Sequence, residues 1–289
     1  MGYVFVADDY DPDYYLLKRY NLWYTDTPIK DGDELSLEVS ARGMETVTAN
    51  SNVPEKVIIQ EVKAAPRCTT ITDFDYSYTE SFMSFDIALA NVSPEDYLGV
   101  KIVQHVDITY TYDDGNVECY TMDSNGSIIT WSGSDDIMDE IQQFQGAWTP
   151  SLYNNYFIDN NYGYGMSLIS GKDLKDGHLQ FDCNIEFASD ETSTTVYYDE
   201  ETGSLVPNGT IGRKVDSKYK LEIYKVSPEF FRYNKAQYLL DGNYLAEVGL
   251  SPSTFSYTNM KGGFGLLGAL TCTSTQWYQA PEDPDPREY

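Results

Sequence analysis

Apolar side chains recur at every second position through long stretches of this chain, and that period constrains its fold more than any other feature. In an extended strand successive side chains point to opposite faces, so a period of two marks a strand with one dry face and one wet face. Leu35, Leu37, Val39 and Ala41 alternate with Ser36, Glu38 and Ser40, and Met83, Phe85, Ile87 and Leu89 alternate with Ser84, Asp86 and Ala88. Ile102, Gln104, Val106, Ile108, Tyr110 and Tyr112 form the longest run, which ends at Asp113-Asp114-Gly115-Asn116. That turn signal predicts a hairpin into residues 117–121. In Leu179, Phe181, Cys183, Ile185 and Phe187 the cysteine takes the place of a small apolar core residue. Helical signals are few. Ser227-Pro228-Glu229 supplies an N-cap, a proline at the first helical position and an early acid, predicting a helix over 228–240 with Gly242 as its stop. A shorter helix is expected from Ser134 or Asp135 towards Phe144. Many strands with one or two short helices point to sandwiches or a barrel, not to βαβ units.

At 289 residues the chain can bury a substantial core as one large sandwich or two modest domains. Tyrosine, present 26 times, suits a pleated, half-buried surface. The net charge of −27, from 46 acidic and 19 basic residues with no basic patch, argues against nucleic acid and anionic membranes as partners. Cys68, Cys119, Cys183 and Cys272 lie far apart without a CxxC pair, so no zinc or redox motif is legible; in an oxidising compartment they allow three pairings. No leader is visible at the start, and the longest apolar run, Phe264 to Cys272, is too short to span a bilayer. A domain boundary is expected where the strand over 57–62 gives way to Ala64-Ala65-Pro66-Arg67. Residues 280–289, rich in proline and acid, are expected to form a mobile tail.

Catalytic material is sparse. The two histidines, His105 and His178, cannot supply a multi-histidine metal site, and both read as surface residues. Gly263-Phe264-Gly265-Leu266-Leu267-Gly268 spells GxGxxG, but too little chain follows for the βαβ unit that this motif requires. Its glycines read as the close packing of a bulged closing strand. Asp9, Asp11 and Asp13 reproduce the opening of a calcium loop, yet Tyr14 and Tyr20 stand where its glycine and glutamate belong. These three acids, and Asp159-Asn160-Asn161, remain the candidates for a looser calcium site; no other cofactor is expected. Tyr153, Tyr156, Tyr162 and Tyr164, with Trp131 and Trp148, sit among polar residues and are the candidate ligand-binding aromatics. Such rings stack on sugars or anchor a protein partner, and the competing reading is core packing. With 46 acids, a carboxylate pair for glycoside hydrolysis is decided only by spatial separation.

Two passages carry a family likeness. Gly32-Asp33-Glu34-Leu35-Ser36-Leu37-Glu38-Val39, with Val47-Thr48-Ala49-Asn50 and Val53-Pro54, resembles the "G-x-x-Y-x-L-x-V … V-x-A-x-T-x-V-P" passage of a Bacteroidetes lipoprotein family, domain of unknown function 4249; Leu35 stands where that family usually has tyrosine. Ser227 to Leu240 and then Tyr257-Thr258-Asn259-Met260-Lys261-Gly262-Gly263-Phe264-Gly265-Leu266-Leu267-Gly268-Ala269 resemble its closing helix and "S-N-I-x-G-G-x-G-I-F-G-A" passage. The resemblance implies an all-β protein, an immunoglobulin/transthyretin-like β-sandwich followed by a second β-rich sandwich or barrel region; with the cut and the tail read from the residues, the expected division is 1–65, 66–278 with one or two short helices, and an acidic tail over 279–289. It also implies export and a lipid anchor at the outer membrane, an anchor that these residues do not include. The partner it implies is a TonB-dependent outer-membrane receptor in nutrient uptake, and it carries no catalytic residues. The expectation is therefore a non-enzymatic binding lipoprotein with a glycan or peptide as ligand, and a glycan-binding or adhesive module and a carboxylate-dependent hydrolase are the alternatives.

Overall fold

The structure, a computed structural model, describes residues 2–8, 11–20, 26–73, 76–125, 129–131, 166–199, 204–241 and 257–284. The chain divides into two compact units, Met1–Lys30 and Asp31–Tyr289. The first is a hairpin of β1 (Gly2–Asp8) and β2 (Asp11–Tyr20), antiparallel, with Gly2 opposite Tyr20 and a register shift at Ala7/Asp8.

The second unit is built on two open antiparallel sheets. One orders β5 (Ile58–Asp73), β6 (Tyr76–Ala90), β11 (His178–Cys183) and β9 (Ile129–Trp131) side by side. The other runs β10 (Ser167–Ser170), β7 (Tyr97–Tyr112), β13 (Ser204–Val226) and β12 (Ser189–Asp199). To this path β8 (Val117–Asn125) is added on β7, and β14 (Leu270–Ser274) and β15 (Tyr278–Gln279) on β13. A separate hairpin pairs β3 (Glu34–Val39) with β4 (Val47–Asn52). Among the described residues no sheet closes into a barrel, and the all-β expectation holds.

Alternation decides which faces meet. All 16 residues of β7 pair with β13 in one unshifted register, from Tyr112 opposite Ile211 to Tyr97 opposite Val226. This puts Val100 and Ile102 beside Ile223 and Leu221 on one face. There they meet Phe85 and Ile87 of β6 and Leu179, Phe181 and Cys183 of β11, all buried in one core. The Phe85 ring stacks on Phe181 at 5.1 Å within its own sheet and meets Tyr219 of the facing sheet edge-on at 5.7 Å. Cys183 lies in this core as its pattern predicts, and no disulfide links it to Cys68, Cys119 or Cys272.

Residues 184–188 cross from one sheet to the other, and the crossing leaves backbone groups without a strand partner. Gln104 supplies one. Its side-chain amide donates to the Glu186 carbonyl at 3.3 Å and accepts from the Glu186 N–H at 3.2 Å, so a side chain does the work of a strand. Sequence reading placed Gln104 correctly on the dry face of its strand, where it is 4% exposed, and this pairing is why a polar group is tolerated there.

The turns follow their residues. Gly115 in the β7–β8 turn has φ +82°, and Asp114 accepts from the Asn116 N–H at 2.9 Å, forming the predicted hairpin. Asp176 (φ +52°) and Gly177 (φ +79°) make the equivalent reversal before β11. The helix α1 spans Pro228–Asp241, and Ser227 caps it by accepting from the Phe230 N–H at 3.3 Å. Phe230 and Phe231 are buried, and Phe231 stacks on Tyr97 at 4.1 Å.

Some expectations fall elsewhere. The cut expected at 65/66 lies inside β5, whose pairing with β6 continues across it from Lys63 opposite Asp86 to Arg67 opposite Phe82. The start of the expected tail is held in place: Ala280 is buried and its N–H donates to Ser217, Glu282 bridges Ala188, and Ser81 donates to the Asp283 carboxylate at 2.6 Å. Residues 285–289 and the helix expected over 134–144 lie outside the described residues. Among the described residues no helix is long and apolar enough to cross a membrane.

Replacing Gln104 with leucine keeps the bulk but orphans both backbone groups of Glu186. A fully buried unsatisfied group costs about 1–3 kcal/mol, and these two bonds are part-buried, so unfolding in urea should show a loss of about 1–3 kcal/mol for the pair. A variant as stable as the parent would contradict the strand-mimic role.

Candidate functional site

Alternation leaves the outer face of the β5–β6–β11–β9 sheet polar, and there the chain forms a groove of about 380 Å³. It lies within the usual size range of small-molecule sites. Its walls come from three strands: Lys63, Ala65 and Arg67 of β5, Ser84 and Asp86 of β6, and Gln180 and Asp182 of β11. Register explains the grouping, because Lys63 and Gln180 both lie opposite Asp86, while Ala65 and Asp182 lie opposite Ser84.

The carboxylates are held by neighbours. Asp86 accepts from His178 Nδ1 at 2.6 Å on one oxygen and from Gln180 at 3.2 Å on the other. The His178 hydrogen bond holds the Asp86 carboxyl below the usual aspartate range, against the opposing effect of burial. Ser84 donates to Asp182 at 2.5 Å. Lys63 reaches Glu61 at 3.1 Å, which raises its pKa, chiefly through that hydrogen bond. At the end of the groove the exposed Arg67 guanidinium offers a planar fork of donors.

The face is suited to polar recognition: carboxylate and amide acceptors and donors in two rows, with an arginine at one end. It also bears on the hydrolase alternative. Asp86 and Asp182 sit diagonally across β6 and β11, a geometry that sets side-chain origins roughly 7–8 Å apart. A general acid, however, needs a raised pKa, and Asp86 is moved the other way.

Of the residues singled out in sequence, Tyr153, Tyr156, Tyr162, Tyr164, Trp148 and Asp9 lie outside the described residues, as do Asp159, Asn160 and Asn161. Trp131 is the last residue of β9, paired with Phe181. Asp11 and Asp13, candidates for a looser calcium site, fall within strand β2. Among the described residues no group of three His, Cys, Asp or Glu side chains gathers in a metal-holding arrangement. His105 meets Asp123 at 2.6 Å and Asp107 at 3.5 Å, and His178 meets Asp86, so both histidines are partly exposed residues held by acids. The groove residues were missed because each is an ordinary wet-face position of an alternating run. The available signal was Asp86 and Asp182, acids at the middle of two such runs.

The two passages with the family likeness touch. Thr48 of β4 and Lys261 exchange both backbone hydrogen bonds, at 3.0 and 2.8 Å. Gly262, at φ +82°, leaves no room for a Cβ, which would lie 2.7 Å from the Thr46 carbonyl, and one on Gly263 would lie 2.9 Å from Val47. A Cβ on Gly268 would lie 3.1 Å from Phe230 of the helix, a tight contact that is less severe. Ser227 links the parts, since its hydroxyl also accepts from the Ala269 N–H at 3.2 Å. The glycines therefore serve close packing, as expected, but in an irregular segment that precedes β14, not in a bulged strand.

These features define an antiparallel β-sandwich protein with a polar groove on one outer wall. Residues 3–276 match the family described as Domain of unknown function (DUF4249), and the chain belongs to that family. No curated protein and no solved structure matches it.

Because folding depresses the Asp86 pKa, its contribution to stability is present above the unfolded aspartate value of about 3.9 and is lost as pH falls through the folded value. The stability gap between the parent and Asp86→Asn should therefore narrow between pH 6 and pH 3 in urea titrations. A gap independent of pH would contradict the His178–Asp86 assignment.

Proposed function

We propose that this protein is a non-enzymatic binding lipoprotein, exported and exposed at the cell surface or the periplasmic face of the outer membrane. In this reading it serves as an accessory to a TonB-dependent nutrient transporter of Bacteroidetes. The observation that carries the binding role is the groove on the outer wall of the sandwich, where Arg67, Asp86, Gln180 and Asp182 line one polar cleft. Export, the lipid anchor and the transporter partner rest on the family likeness. Groove chemistry favours a small, hydrogen-bonding ligand. Sugars and short peptides both fit that description, because each presents hydroxyl or amide groups to paired carboxylate and amide side chains.

The glycan-binding module is the second reading, and one feature favours it. Asp86 and Gln180 are hydrogen-bonded side by side in the groove wall, an acceptor and an amide fixed in place as recognition of a polyol requires. It differs from the first reading in needing no transporter.

Affinity capture of the tagged protein from detergent-solubilised outer membranes separates them. Stoichiometric recovery of a TonB-dependent receptor is the expected result. Recovery of no β-barrel partner, together with glycan-array binding abolished by Arg67→Ala, would replace the accessory role with the stand-alone glycan reading.

A further inference from the structure

The groove on the outer wall is polarised across its width. Its cations, Lys63 and Arg67, stand on β5, and its carboxylates, Asp86 and Asp182, stand on β6 and β11. Between them the floor drops because the middle row carries small side chains, Ala65 and then Ser84, with Asp182 closing the row on the far strand.

Neighbours already engage two of these charges. Lys63 reaches Glu61 at 3.1 Å, and Asp86 accepts from His178 on one oxygen and from Gln180 on the other. The other two keep open capacity. Asp182 accepts from Ser84, which leaves most of a carboxylate's lone-pair sites free. Arg67 makes no hydrogen bond or ion pair with any described residue, so its whole fork of donors is available.

These two groups do not satisfy each other, because β6 stands between them. Arg67 lies opposite Phe82, and Asp182 lies opposite Ser84. Two strand spacings of about 4.8 Å, and an offset of two residues at about 3.4 Å each, put their backbones roughly 12 Å apart, a gap that the two side chains shorten. A ligand that answers both must carry an anion at one end and a cation at the other. A free amino acid holds both charges on one carbon and is too short. An extended peptide covers about 3.3–3.6 Å per residue, so about three residues close the gap. A neutral sugar leaves both charges unanswered. It also finds no aromatic face to stack on, since Phe85 and Phe181, the aromatic residues of the lining, are 3% and 1% exposed and stack on each other in the core.

We propose that the ligand of the groove is a short peptide with free termini, its C-terminal carboxylate held by the Arg67 fork and its N-terminal ammonium by Asp182. The inference rests on the reading of the groove as a binding site and adds the class of ligand. Recognition lies in the termini, because a floor of Ala65 and Ser84 offers no pocket for a particular side chain.

Isothermal titration calorimetry of the full protein tests this with trialanine, trialanine amide, N-acetyl-trialanine and the neutral trisaccharide maltotriose. Trialanine should bind, and blocking either terminus should weaken binding at least about tenfold, as the loss of a hydrogen bond to a charged group does. Arg67→Ala should bind trialanine and its amide alike while still rejecting the N-acetyl form. Asp182→Asn, which keeps an acceptor for Ser84, should bind trialanine and its N-acetyl form alike while still rejecting the amide. The discrimination that each variant retains at the opposite end is one that an unfolded chain cannot show, and the comparison of blocked peptides on the unsubstituted protein needs no variant. Equal binding of trialanine and its blocked forms, weakened throughout by Arg67→Ala, would overturn the recognition of termini and leave the groove a binding site. Maltotriose binding that Arg67→Ala abolishes, with no binding of trialanine, would overturn the peptide ligand and likewise leave the groove. Trialanine binding that neither substitution alters would overturn the groove reading and this inference together.

Discussion

The ladder between β7 and β13 is the constraint on which the rest of the second unit depends. One register fixed over the whole length of β7 decides which side chains of two long strands share a face, and a slip of a single residue would turn every one of them over. Because it holds, Val100, Ile102, Leu221 and Ile223 form a continuous apolar wall. The smaller sheet is laid on that wall through Phe85 and Phe181. Strands β8, β10, β12, β14 and β15 are then added to one or other member of the pair, and Ala280 is pinned beside Ser217 of β13.

The candidate groove is a by-product of this core. The groove exists because β6 and β11 turn their odd-numbered residues inward, which leaves Ser84, Asp86, Gln180 and Asp182 in register on the outside. Ser227 and the glycines of 262–268 bring the hairpin, the helix and the closing segment within backbone distance. The two passages that carry the family likeness thus fall on parts that join in space, while the family match over residues 3–276 takes in the groove as well. Packing explains the glycines and the cap without any ligand.

Much of the fold was legible because burial imposes a simple period. The runs at 83–89, 102–108 and 179–187 turned out buried where their pattern placed them, the Asp114-Gly115 turn reversed the chain, and Ser227-Pro228 started the helix. The order in which strands pair was not legible. β5 and β6 are neighbours in sequence and in space, but β11 joins them across a long interval, and no local pattern encodes such a pairing. The same reason hid the groove: its residues come from three strands, and each alone looks like a solvated position. The tail looked mobile on composition, yet Ser81 and Ala188, remote in sequence, hold its first part.

The central claim is that the outer wall of the smaller sheet is a recognition surface, and a thermal-shift screen of oligosaccharides and short peptides against the parent and Arg67→Ala tests it most directly. Arg67 is exposed, so its loss should leave the unliganded melting temperature unchanged. A ligand at a hundredfold excess over its dissociation constant stabilises by about 2.7 kcal/mol, well within the reach of the method. The expected result is a compound class that raises the melting temperature of the parent and not of Arg67→Ala. Compounds that shift both proteins equally would place recognition elsewhere on the molecule, and a screen without any shift would contradict the binding role of the groove.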